Sequence, residues 1–453
     1  MRRTRWRRRS AASLVAVATI SSLMLSACGG SDDDKNSSAI PSSAGPCGTT
    51  DEITLTVGLF GTMGFKENGL WDAYHEKCPN ITIQEDVVEQ SADYWTRLKT
   101  RLASGSGLAD VQAIEVGFVA DVVQNHADEF VNWNDVPEAA DLKAEFFPWK
   151  WSQATTPDGS QTVGLGTDIG PEAICYRSDL LEQAGLPSKP DEVAAAIATW
   201  EDFIAFGQEY ESSATKADGS HFVDSAASIF STAVYQGEHA YADDDGQAAV
   251  EDSDGVANAW KYAVQASQDG ITAGLEQFSP DWNKAFSSGS FAALACPTWM
   301  MGYIQGQAGD DYAGKWAIAP ALPGGANNWG GSFLGVPNAA PNKAAAIALV
   351  AWLSSSEQQV TMWTSPNQGG HFPSNSVAAA DPAVASATSA YFSDAPVGTI
   401  FADIASKMTI PPIGLYDTQI QQAFTTQLTN VEQGTSPDDA WNDALDAIEQ
   451  VTG

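Results

Sequence analysis

Residues 53–60, ITLTVGLF, alternate apolar side chains with small or polar ones, as a strand with one buried face does. A glycine-rich loop follows at residues 61–64, and a helix-like stretch then runs to Tyr74. Second and third strands are predicted at residues 81–83 and 110–114, with an amphipathic helix between them. Strands that alternate with helices of this length predict a parallel α/β sheet.

The same alternation begins again after the turn at residues 157–159. Further strands are predicted at residues 163–166, 173–177 and 291–296, and further helices at residues 199–210, 280–286, 341–353, 420–431 and from Ser436 onward. The pattern predicts two α/β halves and leaves the place of the last helices open.

The chain is strongly acidic, with 22 Lys and Arg against 57 Asp and Glu in 453 residues. Six of the arginines fall within the first nine residues; without them 16 cations face 57 acids, a net charge of −41. Such a chain repels nucleic acid and anionic lipid surfaces, so a nucleic-acid partner is excluded. Tryptophan (15) outnumbers tyrosine (11), an excess that calls for an explanation.

The first thirty residues have the features of an export signal. Arginines precede an apolar run at residues 11–25, which is too short to span a membrane comfortably. The run ends in Leu25-Ser26-Ala27-Cys28, which resembles a bacterial lipobox. This resemblance implies a signal peptide at residues 1–27, lipidation of Cys28, a flexible tether at residues 28–47, and a protein held on the extracellular face of the cell membrane. An ordinary secretory signal with an incidental cysteine is the alternative.

Four cysteines remain after Cys28, an even number in an oxidising compartment. Three pairings are possible, and we favour Cys47–Cys78, each near the start of an early strand, and Cys175–Cys296, each within an apolar strand-like run. Buried free thiols are the alternative. No CxxC pair occurs, so the spacing does not favour zinc binding or dithiol redox chemistry.

Several motifs occur together in the later half of the chain. FSSGSFAAL at residues 286–294 leads to Pro297-Thr298-Trp299, WAIAPALPG follows at residues 316–324, and GGSFLGV at residues 330–336. A helix-like stretch at residues 346–357 then overlaps the sequence Leu-Ser-Ser-Ser-Glu-Gln at residues 353–358. In this order they resemble the extracellular solute-binding proteins of carbohydrate ABC importers, the maltose-binding-like group. Residues 101–110, 113–116 and 166–177 are similar, more narrowly, to actinobacterial receptors for cellobiose and cello-oligosaccharides.

The resemblance implies a two-lobed α/β fold of the periplasmic-binding-protein type, each lobe a sheet flanked by helices, with several interlobe crossovers and closure like a Venus flytrap. The first lobe would cover residues 48–165 and 330–372, and the second residues 166–329 and 373–453. An oligosaccharide would bind between the lobes of a monomer and pass to membrane permease subunits. No cofactor, no metal and no catalysis are implied. A receptor for xylobiose or another oligosaccharide remains the alternative.

A neutral sugar offers a face of C–H bonds to aromatic rings and a rim of hydroxyls to carboxylates, amides and backbone groups. The tryptophan and acid excess fits that chemistry. The resemblance places Trp299 at the sugar-stacking position, and the loops and strand ends suggest the rest of the site. The further candidates are Thr62, Met63, Phe65, Glu115, Asp168, Glu172, Trp282, Trp329, Gly331, Ser332 and His371, with Gly330 beside them.

Each candidate has a plain structural alternative. Trp299, Trp282 and Trp329 could be core packing, and Asp168 or Glu172 could cap a helix or pair with Arg177. The remaining candidates could be turn or surface residues.

Two other classes of protein fit the composition. A secreted glycoside hydrolase also needs acidic pairs and tryptophans in a cleft, and a lipid-anchored adhesion or structural protein needs neither a ligand nor closure. No nucleophile elbow, HExxH sequence, P-loop or dinucleotide fingerprint occurs in the chain. We therefore expect a receptor and not an enzyme.

Overall fold

The structure is a computed structural model that describes residues 42–251, 253–365 and 370–453. The predicted signal peptide, the lipidation site Cys28 and most of the predicted tether lie outside the described residues. The tether was predicted to extend to Cys47, but Ser42–Cys47 forms a 3-10 helix whose last residue is buried and disulfide-bonded to Cys78. The folded body therefore begins before residue 48.

Eleven strands occur within the described residues. They are β1 (Ile53–Phe60), β2 (Ile81–Val88), β3 (Val111–Glu115), β4 (Leu165–Gly166), β5 (Asp168–Ile169), β6 (Glu172–Arg177), β7 (His221–Val223), β8 (Phe291–Pro297), β9 (Trp316–Ala319), β10 (Ser332–Gly335) and β11 (Phe372–Pro373). A five-stranded sheet has the order β2-β1-β3-β10-β4, and a four-stranded sheet has the order β7-β8-β6-β9. We call the parts built on these sheets the first lobe and the second lobe.

Helices cover both faces of the two sheets. They are α1 (Leu70–Lys77), α2 (Ser91–Ser104), α3 (Val116–Asn125), α4 (Ala140–Lys143), α5 (Pro148–Gln153), α6 (Ser178–Gln183), α7 (Pro190–Ala196), α8 (Trp200–Ser212), α9 (Ala226–Ala233), α10 (Asp254–Gln268), α11 (Pro280–Ser288), α12 (Met300–Ala308), α13 (Lys343–Leu353), α14 (Ser356–Thr364), α15 (Ser376–Ala379), α16 (Pro382–Ala385), α17 (Val397–Ala405), α18 (Asp417–Glu432) and α19 (Pro437–Thr452). Two of these helices begin with a serine cap: the hydroxyls of Ser279 and Ser436 accept from the backbone amide of the third residue of the helix that follows each.

The prediction of a parallel sheet is right for the pairs that β1 forms with β2 and β3, and wrong for the two pairs that β10 forms. β10 runs antiparallel to both β3 and β4. The physical reason is the path of the chain: β10 enters the first lobe from the second-lobe strand β9, and no helical crossover reverses its direction. In the second sheet only β7 and β8 pair in parallel.

Strand alternation places apolar side chains on both faces of each sheet. In β6, Ile174 and Tyr176 belong to one buried cluster, while Ala173 and Cys175 belong to the cluster on the opposite face. The favoured disulfides, Cys47–Cys78 and Cys175–Cys296, are both present. Among the described residues, no helix is both long and apolar enough to cross a membrane.

The chain passes between the lobes three times. It leaves the first lobe after β4, returns between β9 and β10, and leaves again through β11, which pairs antiparallel with β5. The resemblance to a helix ending near Glu357 is not matched, because α13 ends at Leu353 and Glu357 lies in the first turn of α14. Trp363 at the end of α14 packs with second-lobe residues such as Phe401, so this helix joins the two lobes.

Candidate ligand-binding cleft

A cleft of about 1850 Å³ is lined by residues of both lobes. The first lobe contributes the segments that follow its three parallel strands, residues 60–63 after β1, 89–92 after β2 and 115–118 after β3. The carboxyl ends of parallel strands meet at one edge of a sheet, where backbone groups and side chains are free to contact a ligand.

The second lobe contributes a cluster of aromatic rings. Trp299 and Trp329 are perpendicular at 5.1 Å between ring centroids, and the Trp299 Nε1 donates to the Trp329 carbonyl at 2.9 Å. Phe278 lies parallel to Trp299 at 6.3 Å and perpendicular to Tyr303 at 5.7 Å. All four residues line the cleft, so the second lobe presents a continuous aromatic surface to it.

Phe278 is a site residue that the sequence analysis missed. Its side chain is 45% exposed, and its φ of +65° is strained for a residue with a Cβ. The preceding residues are held by Asp224, whose carboxylate accepts from Gln277 Nε2 at 3.1 Å and whose carbonyl accepts from the Leu275 amide at 3.1 Å. The fold thus holds an apolar ring in the cleft at a cost in backbone strain.

Asp168 anchors the polar base of the cleft. Its carboxylate accepts from the Ser332 amide at 3.0 Å and from the Thr167 hydroxyl at 2.6 Å, and it lies 3.6 Å from His371 Nδ1. Burial would raise the pKa of Asp168, but His371, Lys150 and Thr167 together hold it below its usual range. The carboxylate is therefore ionised at neutral pH and ties β5 to β10.

Lys150, which the sequence analysis also missed, lies beneath this base and is completely buried. Its ammonium is 3.8 Å from the centroid of the Phe333 ring, and the charges of Asp168 and Glu115 act on it. Burial nevertheless lowers the pKa of Lys150 to about 8.

Glu115 caps α3 through a hydrogen bond from the Gly117 amide at 3.0 Å. Burial raises its pKa to about 7, although Gly117 and Lys150 act in the opposite direction.

The two glycines before β10 allow the chain to pass close to Asp168, Lys150 and Trp299. A Cβ on Gly331 (φ +100°) would lie 2.6 Å from the Asp168 carbonyl and 2.9 Å from Lys150 Nζ. A Cβ on Gly330 (φ +99°) would lie 2.9 Å from Trp299 Nε1. Side chains at these positions would displace the groups that form the cleft.

Most of the predicted site residues are brought together. Those that line the cleft are Thr62, Met63, Glu115, Asp168, Trp299, Trp329, Gly330, Gly331, Ser332 and His371. Three others, Phe65, Trp282 and Glu172, are buried outside it. Phe65 packs 5.3 Å from the Trp71 ring in the first-lobe core, and Trp282 donates from Nε1 to Asp224 at 2.9 Å.

Glu172 lies four residues after the cleft residue Asp168 but faces the interior of the second lobe. Its oxygens accept from Asn327 Nδ2 and, at 3.4 Å, from the Thr232 hydroxyl. Asn327 precedes the crossover that carries Trp329, and its carbonyl accepts from the Glu172 amide at 3.1 Å. Glu172 therefore fixes the crossover and is not placed to contact a ligand.

Burial raises the pKa of Glu172 from 4.5 to about 8 despite these hydrogen bonds. The folded chain keeps a proton that the unfolded chain releases in this pH range, so stability falls as the pH rises from 4.5 to 8. We expect Glu172→Gln, which stays neutral, to lose less stability than the wild type between pH 5 and pH 8, a difference on the order of a few kcal/mol. Urea unfolding at both pH values measures it.

The exposed Glu357→Gln provides the matched control, because it removes a carboxylate that is not buried. Its pH profile should follow that of the wild type. A Glu172→Gln profile parallel to the wild type would show that Glu172 is ionised in the folded chain and would contradict the prediction.

The ionisable residues that line the cleft are nearly all acidic. Among the described residues that line it are five carboxylates and one histidine, and neither a lysine nor an arginine. The carboxylates are Glu89, Glu115, Asp168, Glu276 and Asp417. Such a cleft suits a neutral or cationic ligand and repels an anionic one.

Two α/β lobes joined by three crossovers, with a cleft at their strand ends, define the two-lobed solute-binding fold. The family described as "Bacterial extracellular solute-binding protein" matches residues 69–391, and the chain belongs to that family.

Among solved structures, an "Extracellular solute-binding protein family 1" superposes with a TM-score of 0.78 at 36% identity, covering 88% of this chain and 100% of that one. A binding protein associated with an ABC transporter of B. animalis subsp. lactis, in complex with β-1,6-galactobiose, superposes with a TM-score of 0.73 at 19% identity, over 89% of this chain and 97% of that one. At this identity the second likeness concerns the fold alone.

A curated relative, the lactose-binding protein of Rhizobium radiobacter, is 27% identical over 290 residues. The match covers 61% of this chain and 64% of that protein, which is slightly less than two thirds of its length.

Proposed function

We propose that this protein is a receptor that binds an oligosaccharide between its lobes and delivers it to an ABC-transporter permease. The observation that carries the proposal is the pairing, in one cleft, of the Phe278, Trp299, Tyr303 and Trp329 rings with the carboxylates of Glu115 and Asp168. Rings cover the apolar face of a sugar, and carboxylates accept hydrogen bonds from its hydroxyls.

The ligand class is supported by two independent features. The lining contains neither lysine nor arginine among the described residues, which favours an uncharged sugar over a phosphorylated or acidic one. The curated relative is named for lactose and one structural neighbour holds a galactobiose, so both of those proteins bind sugars. Within this class we propose cellobiose or a cello-oligosaccharide, on the likeness of residues 101–110, 113–116 and 166–177; xylobiose or another oligosaccharide is the alternative.

We propose that delivery involves a lipid anchor and two lobes that close on the ligand. We propose that Cys28 carries the anchor on the extracellular face of the membrane. The first lobe would comprise residues 42–165 and 330–372, because the Cys47–Cys78 disulfide ties the Ser42–Cys47 helix to it. The second lobe would comprise residues 166–329 and 373–453. A sugar that contacts both walls binds the closed state more tightly than the open one, and the ratio of the two affinities sets how far the population shifts towards the closed state. No catalytic step and no second copy is needed.

The test uses residues 29–453 with cellobiose, cellotriose, xylobiose and maltotriose, each at about 1 mM. A ligand at about 100 times its Kd stabilises the folded state by about 2.7 kcal/mol. For a chain of this length that is an increase of about 3 °C in Tm. Tryptophan emission should change with it, because Trp299 and Trp329 line the cleft.

A shift with the cello-oligosaccharides alone supports the narrow proposal. A shift with another sugar keeps the receptor and removes cellobiose. Cleaved sugar in the sample without a shift would support the hydrolase, and neither cleavage nor a shift across a wider panel would support the adhesion protein.

A further inference from the structure

Asp417, the first residue of α18, is an acidic group of the cleft that no motif indicates. It lines the cleft, yet its side chain is only 4% exposed. Neither of its carboxylate oxygens accepts a well-formed hydrogen bond from any residue that the structure describes. Burial raises the pKa of Asp417 to about 7. The Gly414 amide lies close enough to favour the charged form of the carboxyl group, but it offsets only part of the effect of burial.

The groups around Asp417 do not supply a countercharge. The charge of Asp417 acts on Tyr235 and Tyr241, whose rings are perpendicular at 5.7 Å. The hydroxyl of Tyr241 is buried without a hydrogen-bond partner among the described residues. Glu115 adds a further negative charge at Tyr235 from the first lobe. The buried cation Lys150 acts on Asp168 and Glu115, and Asp417 is not among the groups that act on it.

The position of Asp417 is fixed at the seam between the lobes. The next residue, Thr418, donates from its hydroxyl to the Gly117 carbonyl of the first lobe at 2.8 Å. A Cβ on Gly117 would lie 2.8 Å from Glu115 Oε2 and 3.2 Å from the Thr418 hydroxyl, so Glu115 and the start of α18 are neighbours. Glu115 and Asp417 both line the cleft, and we call the part of the cleft next to these two acids its inner end.

A buried carboxylate without donors is costly, and the cost is removed when a partner supplies hydrogen bonds or positive charge. We propose that Asp417 is a specificity-determining residue that accepts a hydrogen bond from a hydroxyl or an ammonium group of the sugar at the inner end of the cleft. This inference rests on the proposed function and names the part of the ligand that the inner end recognises.

The experiment compares the wild type, Asp417→Asn and the control Asp438→Asn. Asp438 is an exposed acid in the first turn of α19, so its variant changes the net charge equally without touching the cleft. The probes are cellobiose, or the panel sugar that stabilises the wild type most, and the β-1,4-linked glucosamine dimer, which replaces a hydroxyl with an ammonium on each ring. Calorimetry at pH 7 in phosphate and in Tris measures the affinity and the protons exchanged.

We expect Asp417→Asn to weaken binding by about tenfold or more, the factor that one lost charged hydrogen bond brings, and Asp438→Asn to bind like the wild type. The wild type should also release protons on binding, because donors to the ionised carboxylate favour that form. Asp417→Asn should release fewer protons than the wild type. The same measurement on Glu115→Gln gives the number of protons that the neighbouring acid contributes. Tighter binding of the glucosamine dimer identifies the donor as an ammonium, and tighter binding of cellobiose identifies it as a hydroxyl.

Without ligand, Asp417→Asn should be at least as stable as the wild type at pH 8, because the raised pKa means that the charged carboxylate destabilises the fold there. A purely structural role predicts a loss instead. If the wild type binds a sugar but Asp417→Asn binds it equally and releases as many protons, this inference fails and the receptor remains. If the wild type binds no sugar, both fail. If Asp417→Asn folds poorly, Glu115→Gln decides, because that variant keeps Asp417 and lacks the neighbouring acid: proton release by it supports the inference, and no release contradicts it.

Discussion

Trp299→Ala should lower the affinity of the cleft for its sugar by about 30- to 150-fold, the equivalent of about 2–3 kcal/mol for an aromatic face that no longer covers the ligand. The ring stands at the centre of the aromatic surface, between Phe278 and Trp329. Its loss also removes the hydrogen bond to the Trp329 carbonyl, which fixes the crossover beside Gly330. Isothermal calorimetry with the stabilising sugar measures the change.

Two variants separate stacking from folding. Trp299→Phe keeps an aromatic face and loses the Nε1 donor, so it should retain much more affinity than Trp299→Ala. Trp352→Ala truncates a tryptophan that packs 5.0 Å from Tyr74 in the first-lobe core, and it should lower Tm while leaving the affinity unchanged. Wild-type affinity in Trp299→Ala would mean that this ring is packing and that the ligand does not stack on it.

Local patterns were sufficient for most of the fold. The alternation at residues 53–60, the serine caps at Ser279 and Ser436 and the apolar face of α18 depend on neighbours within a few residues, and the structure contains each of them. The direction of β10 was not predictable in this way, because it depends on which lobe the chain comes from. Strand direction is a property of the chain path and not of the strand's own sequence.

The sequence predicts the cleft residues that follow strand ends. It does not predict the residues whose place in the cleft depends on the direction in which the side chain points. Glu115 and Thr62 follow strands and line the cleft. Asp168 and Glu172 lie four residues apart, yet one faces the cleft and the other the lobe interior, since the turn between them redirects the chain. Phe278 can be identified as a cleft residue only from its position beside Trp299, which lies 21 residues later in the chain.

Lys150 illustrates the part of the site that no sequence signal marks. It sits on a helix of six residues between two tryptophans, and the surrounding sequence gives no reason to expect a buried charge. Its partners, Glu115 and Asp168, are 35 and 18 residues away in the sequence. A buried cation can be identified only when the acids that compensate it are placed in space, because burial is tolerable only with such partners.

Lys150→Met should therefore have the largest effect on stability, a loss of about 3–5 kcal/mol near pH 7.5, because it leaves the buried Asp168 and the half-buried Glu115 without their cation. The methionine keeps much of the apolar stem, so the loss reports the charge and not a cavity. Lowering the pH towards 5 should reduce the deficit, because Glu115 has a pKa of about 7 and becomes neutral, so that only Asp168 is then a carboxylate deprived of the Lys150 charge. Urea unfolding at both pH values measures the difference.

The same substitution at Lys407, an exposed residue paired with Asp403 on the surface, is the matched control and should change stability little at either pH. Adding Glu115→Gln to Lys150→Met should restore part of the lost stability, since one of the two unpaired charges is then removed. If Lys150→Met is as stable as the wild type at pH 7.5, the ammonium does not compensate the acids beneath the cleft. The low pKa of Asp168 would then rest on His371, Thr167 and the Ser332 amide alone.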